Sequence, residues 1–433
     1  MVEYQLGVTS AAEPERMHNM RYAPFLAAAF VLWPVIGFMG GQGYALLLAL
    51  TGLPALIVAR SRLKPAIYLL PLVAFIIWAV VSEVWSPASR GIVSGHLMEG
   101  DFAIRSAGLR IALTAMFGIL AFGGALKIAE GCAQISARIM LAAIAIQALV
   151  LMVCVIFSEP LLSFFYGEDV RRQAEGVQNV IRNANAYALV LPVLVAYLGT
   201  RPGYLWKGVA LVLTGASAVA YQLLDAQSAL IAIGAMFLAF GVVRVLPGSG
   251  LRWLFGLVAT YVAAAPILMG GAISLLEKAG AALPGSFQSR VWSWDVVVGK
   301  IQEKPLIGHG IEASKTWRES YSDHPQWLAQ LPDFWATYPV VPGHPHNMAL
   351  QIWAETGMVG AGLVALTLAF IAICLPDGQT MRPDVRYASA GMLASAVSLF
   401  SFSYSVWNEA FWASLVLAAC SIVLLSKRER ASL

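Results

Sequence analysis

The feature that most constrains this chain is a succession of long apolar runs separated by short polar loops. Hydrocarbon offers no water to unpaired backbone N–H and C=O groups, so a spanning segment must pair them within itself or within a closed barrel. A run of about 20 apolar residues does this as a helix. Such runs lie near residues 22–40, 43–59, 66–84, 106–126, 137–158, 184–200, 207–223, 228–246, 253–276, 348–375, 386–406 and 409–426, which makes about twelve. Several are short and broken by Gly or Pro, so eleven or thirteen also fit. Only 12% of residues are charged, against about a quarter in a soluble protein. The expected fold is an all-α polytopic membrane protein with one large outer loop. Residues Met1 to Arg21 are polar and no small-residue cleavage site follows, so the first run reads as an anchor and not as a removed signal.

Lys and Arg set the expected orientation. Arg16 and Arg21; Arg60, Arg62 and Lys64; Lys127 and Arg138; Arg201 and Lys207; Arg244 and Arg252; Arg382 and Arg386; and Lys427, Arg428 and Arg430 fall in alternate loops. The loops between them, at Gly40–Gly43, Leu224–Gln227 and Val406–Asn408, have neither residue. This alternation predicts an even number of spans with both termini cytoplasmic. Basic residues spread over many loops give no nucleic-acid footprint. Cys132 falls in a short basic loop and Cys154, Cys374 and Cys420 in apolar runs. They read as packing residues, with no disulfide expected in the long loops.

The chain then divides into residues 1–276, a bundle of about nine spans; 277–345, an outer loop; and 346–433, about three more spans. The loop holds Trp292, Trp294, Trp317, Trp327, Trp335, Tyr321 and Tyr338. That mixture predicts a folded, partly helical lid on the membrane surface. An interfacial aromatic belt explains some of those rings, but not the polar groups beside them. Glu83, Arg110, Glu159, Arg182, Asp225, Arg290, His346, Glu355 and Glu409 map to outer span ends or outer loops. A coupled transporter would place charge near the midplane, so a transporter without chemistry is the less favoured reading.

The stretch Pro342–Gly362 joins the polar loop to the tenth span. It carries His344, His346 and Asn347, with Gly357 and Gly360 further on. A neutral imidazole at such a boundary can accept a proton from a hydroxyl near pH 7. The bland alternative is a histidine that caps the following helix, and Asn347 is a good N-cap residue in its own right. His309, His324, His344 and His346 fit no standard zinc spacing, and no metal site is expected. Glu99 and Asp101 resemble acidic metal motifs of some lipid-sugar transferases only by a common spacing. Arg105, Arg110, Arg171, Arg172, Arg182 and Arg290 are the outer basic groups able to hold phosphate in a planar fork. Arg182, at the head of an apolar helix, and Arg290, inside a Trp-rich segment, are the better candidates. The chain has no Walker loop, dinucleotide fingerprint or Gly-x-Ser-x-Gly elbow, so no cofactor is expected.

Three segments together resemble the bacterial O-antigen ligase and O-antigen polymerase family. They are His346-Asn347 followed by Gly357 and Gly360; Ser289-Arg290-Val291-Trp292 running on to Pro305-Leu306-Ile307-Gly308-His309-Gly310; and Asn183-Ala184-Asn185-Ala186, expected to open the sixth span. The resemblance implies a metal-independent glycosyltransferase of the C-type membrane fold in the bacterial inner membrane. It would move a glycan from undecaprenyl diphosphate to a lipid A–core hydroxyl, or to another glycan in the polymerase alternative, on the periplasmic side. It further implies His346 as base and Arg290 as a donor-diphosphate ligand, and Arg182, Asn185, Gln227, Asn347 and His344 are the candidate substrate-binding residues around them. One departure stands out. Where the family usually has Ser-Arg, this chain has Ala226-Gln227-Ser228, and Gln227 brings no charge.

Overall fold

The computed structural model describes residues 13–39, 42–57, 69–99, 101–280, 283, 285–320 and 338–428. Arg60, Arg62, Lys64, Tyr321, His324, Trp327, Trp335 and Arg430 lie outside the described residues, as do the side chains of Arg16 and Arg21.

Among the described residues there are fourteen α-helices: α1 (Glu13–Ile36), α2 (Gln42–Ile57), α3 (Leu70–Val81), α4 (Ala107–Lys127), α5 (Glu130–Ile156), α6 (Ser158–Tyr166), α7 (Val170–Gly199), α8 (Tyr204–Leu223), α9 (Gln227–Val245), α10 (Gly250–Lys278), α11 (Gly285–Glu303), α12 (Met348–Cys374), α13 (Pro383–Phe402) and α14 (Glu409–Lys427). Each expected apolar run falls on one of them, and α6 and α11 are additional helices between those runs. Seven, namely α4, α5, α7, α9, α10, α12 and α14, are long and apolar enough to cross a membrane. Shorter apolar stretches at Tyr22–Ile36, Gly43–Ile57 and Leu70–Trp85 accompany them. The chain is an all-α polytopic membrane protein. A small antiparallel hairpin, β1 (Val93–Ser94) with β2 (Ala103–Ile104), departs from pure helix between α3 and α4.

Local chemistry sets the helix starts. The side chains of Ser106, Asp169, Asn347 and Asn408 accept from backbone N–H groups in the first turns of α4, α7, α12 and α14, which satisfies donors that a helix leaves free at its N-terminus. At the opposite end of the bundle, basic residues finish helices. Lys427 donates to the carbonyls of Leu126 and Ile128, and Arg252 and Arg382 to those of Leu375 and Leu425. These cations meet the orphan carbonyls and the negative dipole ends. The residues that carry the orientation signal therefore also close helix C-termini.

Three expectations need correction. Asn183-Ala184-Asn185-Ala186 does not open a span, and Arg182 is not at a helix head. All five lie well inside α7, which starts at Val170. The polar run 170–182 stays helical because Asp169 caps it, with Oδ1 2.9 Å from Arg171 N. Cys132 likewise sits in the first turn of α5 and not in a loop.

Packing makes one bundle of these helices. α12 lies against α10 and α3, α13 between α7 and α9, and α14 against α2, α4 and α5. Small residues let helices approach, as soluble-type hydrophobic drive cannot supply the contact in lipid. Gly391 of α13 faces Phe240 and Pro192, and Gly118 of α4 faces Val416. Asn183 is fully buried and knots three elements. Its Nδ2 donates to the Pro34 carbonyl at 2.9 Å, and its Oδ1 accepts from Gln147 at 2.5 Å. Pro34 lies within α1, and the bond from Asn183 satisfies its buried carbonyl.

Candidate functional site

The site is built around a break in α12. Gly357 has φ +66°, outside the helical region, and the helix resumes after it. The break frees backbone groups inside an apolar bundle, and the segment 305–310 repairs them. Met358 N donates to the Pro305 carbonyl at 2.8 Å, His309 N to Ala354 at 2.9 Å, and Gly310 N to Glu355 at 2.8 Å. Trp78 Nε1 donates to Thr356 at 2.9 Å. The two glycine-bearing segments that looked separate in the sequence are halves of one joint.

At the head of α12, Asn347 is the cap. Its Oδ1 accepts from Leu350 N at 3.1 Å, and its Nδ2 donates to Tyr261 Oη at 3.0 Å. His346 does not cap. It sits at φ +52°, a left-handed conformation that histidine tolerates better than most side chains. Its ring turns to the α13–α14 connection, where Nδ1 lies 2.9 Å from the Ser403 carbonyl. His344 Nε2 lies 3.2 Å from the same oxygen, and the two rings are 4.3 Å apart. A carbonyl only accepts, so each of these nitrogens carries its proton. That leaves Nε2 of His346 as the lone-pair nitrogen. Burial, then the nearby His344 and Arg290, lower the pKa of its imidazolium to about 4. Burial also lowers His344. Both rings are therefore neutral at pH 7.

Arg290 lies on α11. Trp294, one turn further on, donates from Nε1 to the Pro345 carbonyl at 2.9 Å, which seats α11 beside the histidine loop. Arg290 is half-buried. Its electrostatic influence reaches His346 on one side and Asp225 on the other. Asp225 stands in the α8–α9 turn at φ +53° and accepts from Gln227 Nε2 at 2.9 Å. Gln227 thus holds a carboxylate whose charge acts on the arginine.

Arg182 and Asn185 approach from α7. Arg182 donates to Asn179 Oδ1 at 2.8 Å and lines a small polar recess with Tyr44, Tyr404 and Asn408. Asn185 Nδ2 lies 3.4 Å from Ser403 Oγ. Burial pushes the Tyr404 phenol up to about 12. The expected residues hence fall into two groups that meet at Ser403: His344, His346 and Asn347 with Arg290 and Gln227, and Arg182 with Asn185.

Other outer basic groups are occupied elsewhere. Arg110 pairs with Glu312 at 3.4 Å and Glu409 at 3.5 Å, so it fastens loops. Arg105 holds Ser94 across the hairpin, and Arg172 faces Asp169 on an exposed surface. Asp101 closes its own turn by accepting from His96 N at 2.6 Å. Sequence reasoning missed Ser403, whose contribution is a backbone carbonyl that no side-chain pattern announces. It also missed Asp225 as the neighbour of Arg290.

A bundle of apolar helices with histidines and arginines gathered at one end defines a polytopic membrane protein with an end-on polar site. Residues 209–365, from α8 into α12, match the O-antigen ligase family model, so this segment, about a third of the chain, is similar to that family. Rickettsia bellii and Rickettsia conorii proteins provisionally named polysaccharide ligases are 30% identical over 139 residues and 36% identical over 141 residues. A Rickettsia typhi protein with the same provisional name is 29% identical over 155 residues. The matches cover 32–36% of this chain and 32–35% of the relatives, so the chain spans about a third of the length of the curated relatives it matches.

Proposed function

We propose that this chain is a glycosyltransferase that moves a polysaccharide from undecaprenyl diphosphate to a hydroxyl of lipid A–core at the periplasmic face of the inner membrane. The observation that carries the reading is the His346 ring. Its Nδ1–H is spent on Ser403, its Nε2 is free to take a proton, and the Arg290 charge acts on it. In the proposed step the acceptor oxygen attacks the anomeric carbon of the donor sugar. The carbon–oxygen bond to the diphosphate breaks, and undecaprenyl diphosphate leaves with the electron pair. The acceptor proton passes to His346 Nε2. Arg290 holds diphosphate oxygens and offsets the charge that grows on the leaving group. Diphosphate leaves readily, so positioning and charge supply much of the rate.

The prenyl chain would lie in the bilayer beside the bundle, with the diphosphate at the level of α11. Names of the relatives favour ligation over polymerisation. The test is transfer in vesicles holding the purified protein, a defined lipid-linked glycan and a core acceptor. Glycan appearing on the core supports ligation. Glycan growing on the lipid carrier instead assigns polymerisation, and movement of donor across the bilayer without any new glycosidic bond would leave transport without chemistry.

A further inference from the structure

Glu355 is fully buried in α12, and the transfer step proposed above makes no use of it. Its carboxylate is surrounded by donors from three segments. Glu312 N donates at 2.7 Å, Ser314 Oγ at 2.5 Å, Ser314 N at 3.3 Å and Gln351 Nε2 at 3.2 Å, and Trp407 Nε1 also donates to it. A buried carboxylate survives when its lone pairs are filled in this way.

The partners tie Glu355 to the α13–α14 turn. Gln351, held by Glu355, donates to Ser405 Oγ at 3.1 Å and accepts from Val406 N at 2.9 Å. Trp407, also held by Glu355, donates its own N–H to Ser405 Oγ at 3.2 Å. Ser403, two residues before Ser405, presents the carbonyl that both histidines address. On the other side, the Ser314 hydroxyl, whose one proton is shared between Glu355 at 2.5 Å and the Gly343 carbonyl at 3.0 Å, reaches the residue that precedes the histidine pair. One carboxylate thus sets the turn that receives the His346 ring and the loop that delivers it.

We infer that Glu355 is a positioning residue for glycan transfer, fixing the 403–407 turn so that the Ser403 carbonyl holds His346 with its Nε2 free. The inference rests on the reading of His346 as the base. Without Glu355 the turn loses its anchor at Trp407, and the His346 ring gains a second orientation. Donor binding through Arg290 stays intact, because that residue stands on α11.

The test compares Glu355→Gln with Trp78→Phe. The second change removes the bond to Thr356 at the same helix break but leaves the turn alone. Glu355→Gln is expected to lower kcat about 10- to 100-fold, as a misplaced base does, with donor KM unchanged. Trp78→Phe is expected to lower the melting temperature without that kcat loss. A second readout needs no turnover. The nitrogen-15 spectrum of His346 in nanodiscs should show one Nδ1–H tautomer in the wild type and a mixture in Glu355→Gln. Unchanged kcat and spectrum in Glu355→Gln would overturn the inference, as would equal kcat losses in both variants. If the wild type transfers no glycan, the functional reading fails, and the tautomer comparison still decides whether Glu355 orients the ring.

Discussion

His346 Nδ1 and the carbonyl oxygen of Ser403 stand 2.9 Å apart across 57 residues of sequence. The contact joins the head of α12 to the α13–α14 turn and selects which ring nitrogen is free. His344 shares the same oxygen, so the pair is held as a unit.

Replacing His346 by Ala should abolish transfer while leaving the protein level in the membrane unchanged. Loss of a general base costs about 100- to 10,000-fold. Transfer assays in vesicles, with immunoblots for the protein, check this. Near-wild-type transfer would remove His346 from the mechanism.

The pH dependence has a defined sign. Burial first, then His344 and Arg290, lower the His346 value to about 4. The base is therefore neutral and competent through the neutral range, and kcat/KM should fall only as pH drops through about 4. Folding stability follows the same direction. The neutral buried imidazole contributes fully above its unfolded value of about 6.5, and that contribution is lost as pH falls towards 4. His344→Asn removes one of the two charges acting on His346, so the acid limb should move upward. An acid limb in the wild type near 6.5 would contradict the burial argument.

Arg290→Lys should be roughly 10- to 100-fold less active although it keeps the charge. A planar fork holds two diphosphate oxygens, an ammonium binds as a point charge, and one charged hydrogen bond is worth about 1.5–3 kcal/mol. The loss should appear in the dependence on donor concentration. Gln227→Arg should be tolerated, because Asp225 stands ready to pair with it, and should partly restore Arg290→Lys. Full activity of Arg290→Lys with an unchanged donor KM would sink the diphosphate clamp.

Gly357→Ala should destabilise the fold by about 1–3 kcal/mol or more. Gly357 stands at φ +66°, and an added Cβ would collide with the Leu306 carbonyl. Gly308→Ala should behave alike, since its Cβ would meet the backbone of Glu355 at φ +71°. Melting temperatures in detergent check both. Gly362→Ala is the control, because its Cβ would meet nothing. Equal melting temperatures for all three would show that the joint between 305–310 and α12 is slack.

The sequence by itself determined the helical membrane class, and a helix lies on each of the apolar runs it marked. Apolar length answers to hydrocarbon thickness, and that is a local property. It also offered a cap at the head of α12 as the plain alternative for Asn347, and that cap is formed, because an N-cap works within one turn. It also carried the likeness to the O-antigen ligase family, which the 209–365 match shares. What it misjudged was the start of α7, where Asp169 keeps a polar run helical that hydropathy reads as loop. Only the tertiary structure decided which His346 nitrogen is free, that Arg110 is tied to Glu312 and Glu409, and that Glu355 clamps the 403–407 turn. Those outcomes depend on backbone carbonyls and buried partners brought together from distant segments. A carbonyl has no side-chain signature, and a charge in a chain does not reveal the partner that folding will set against it.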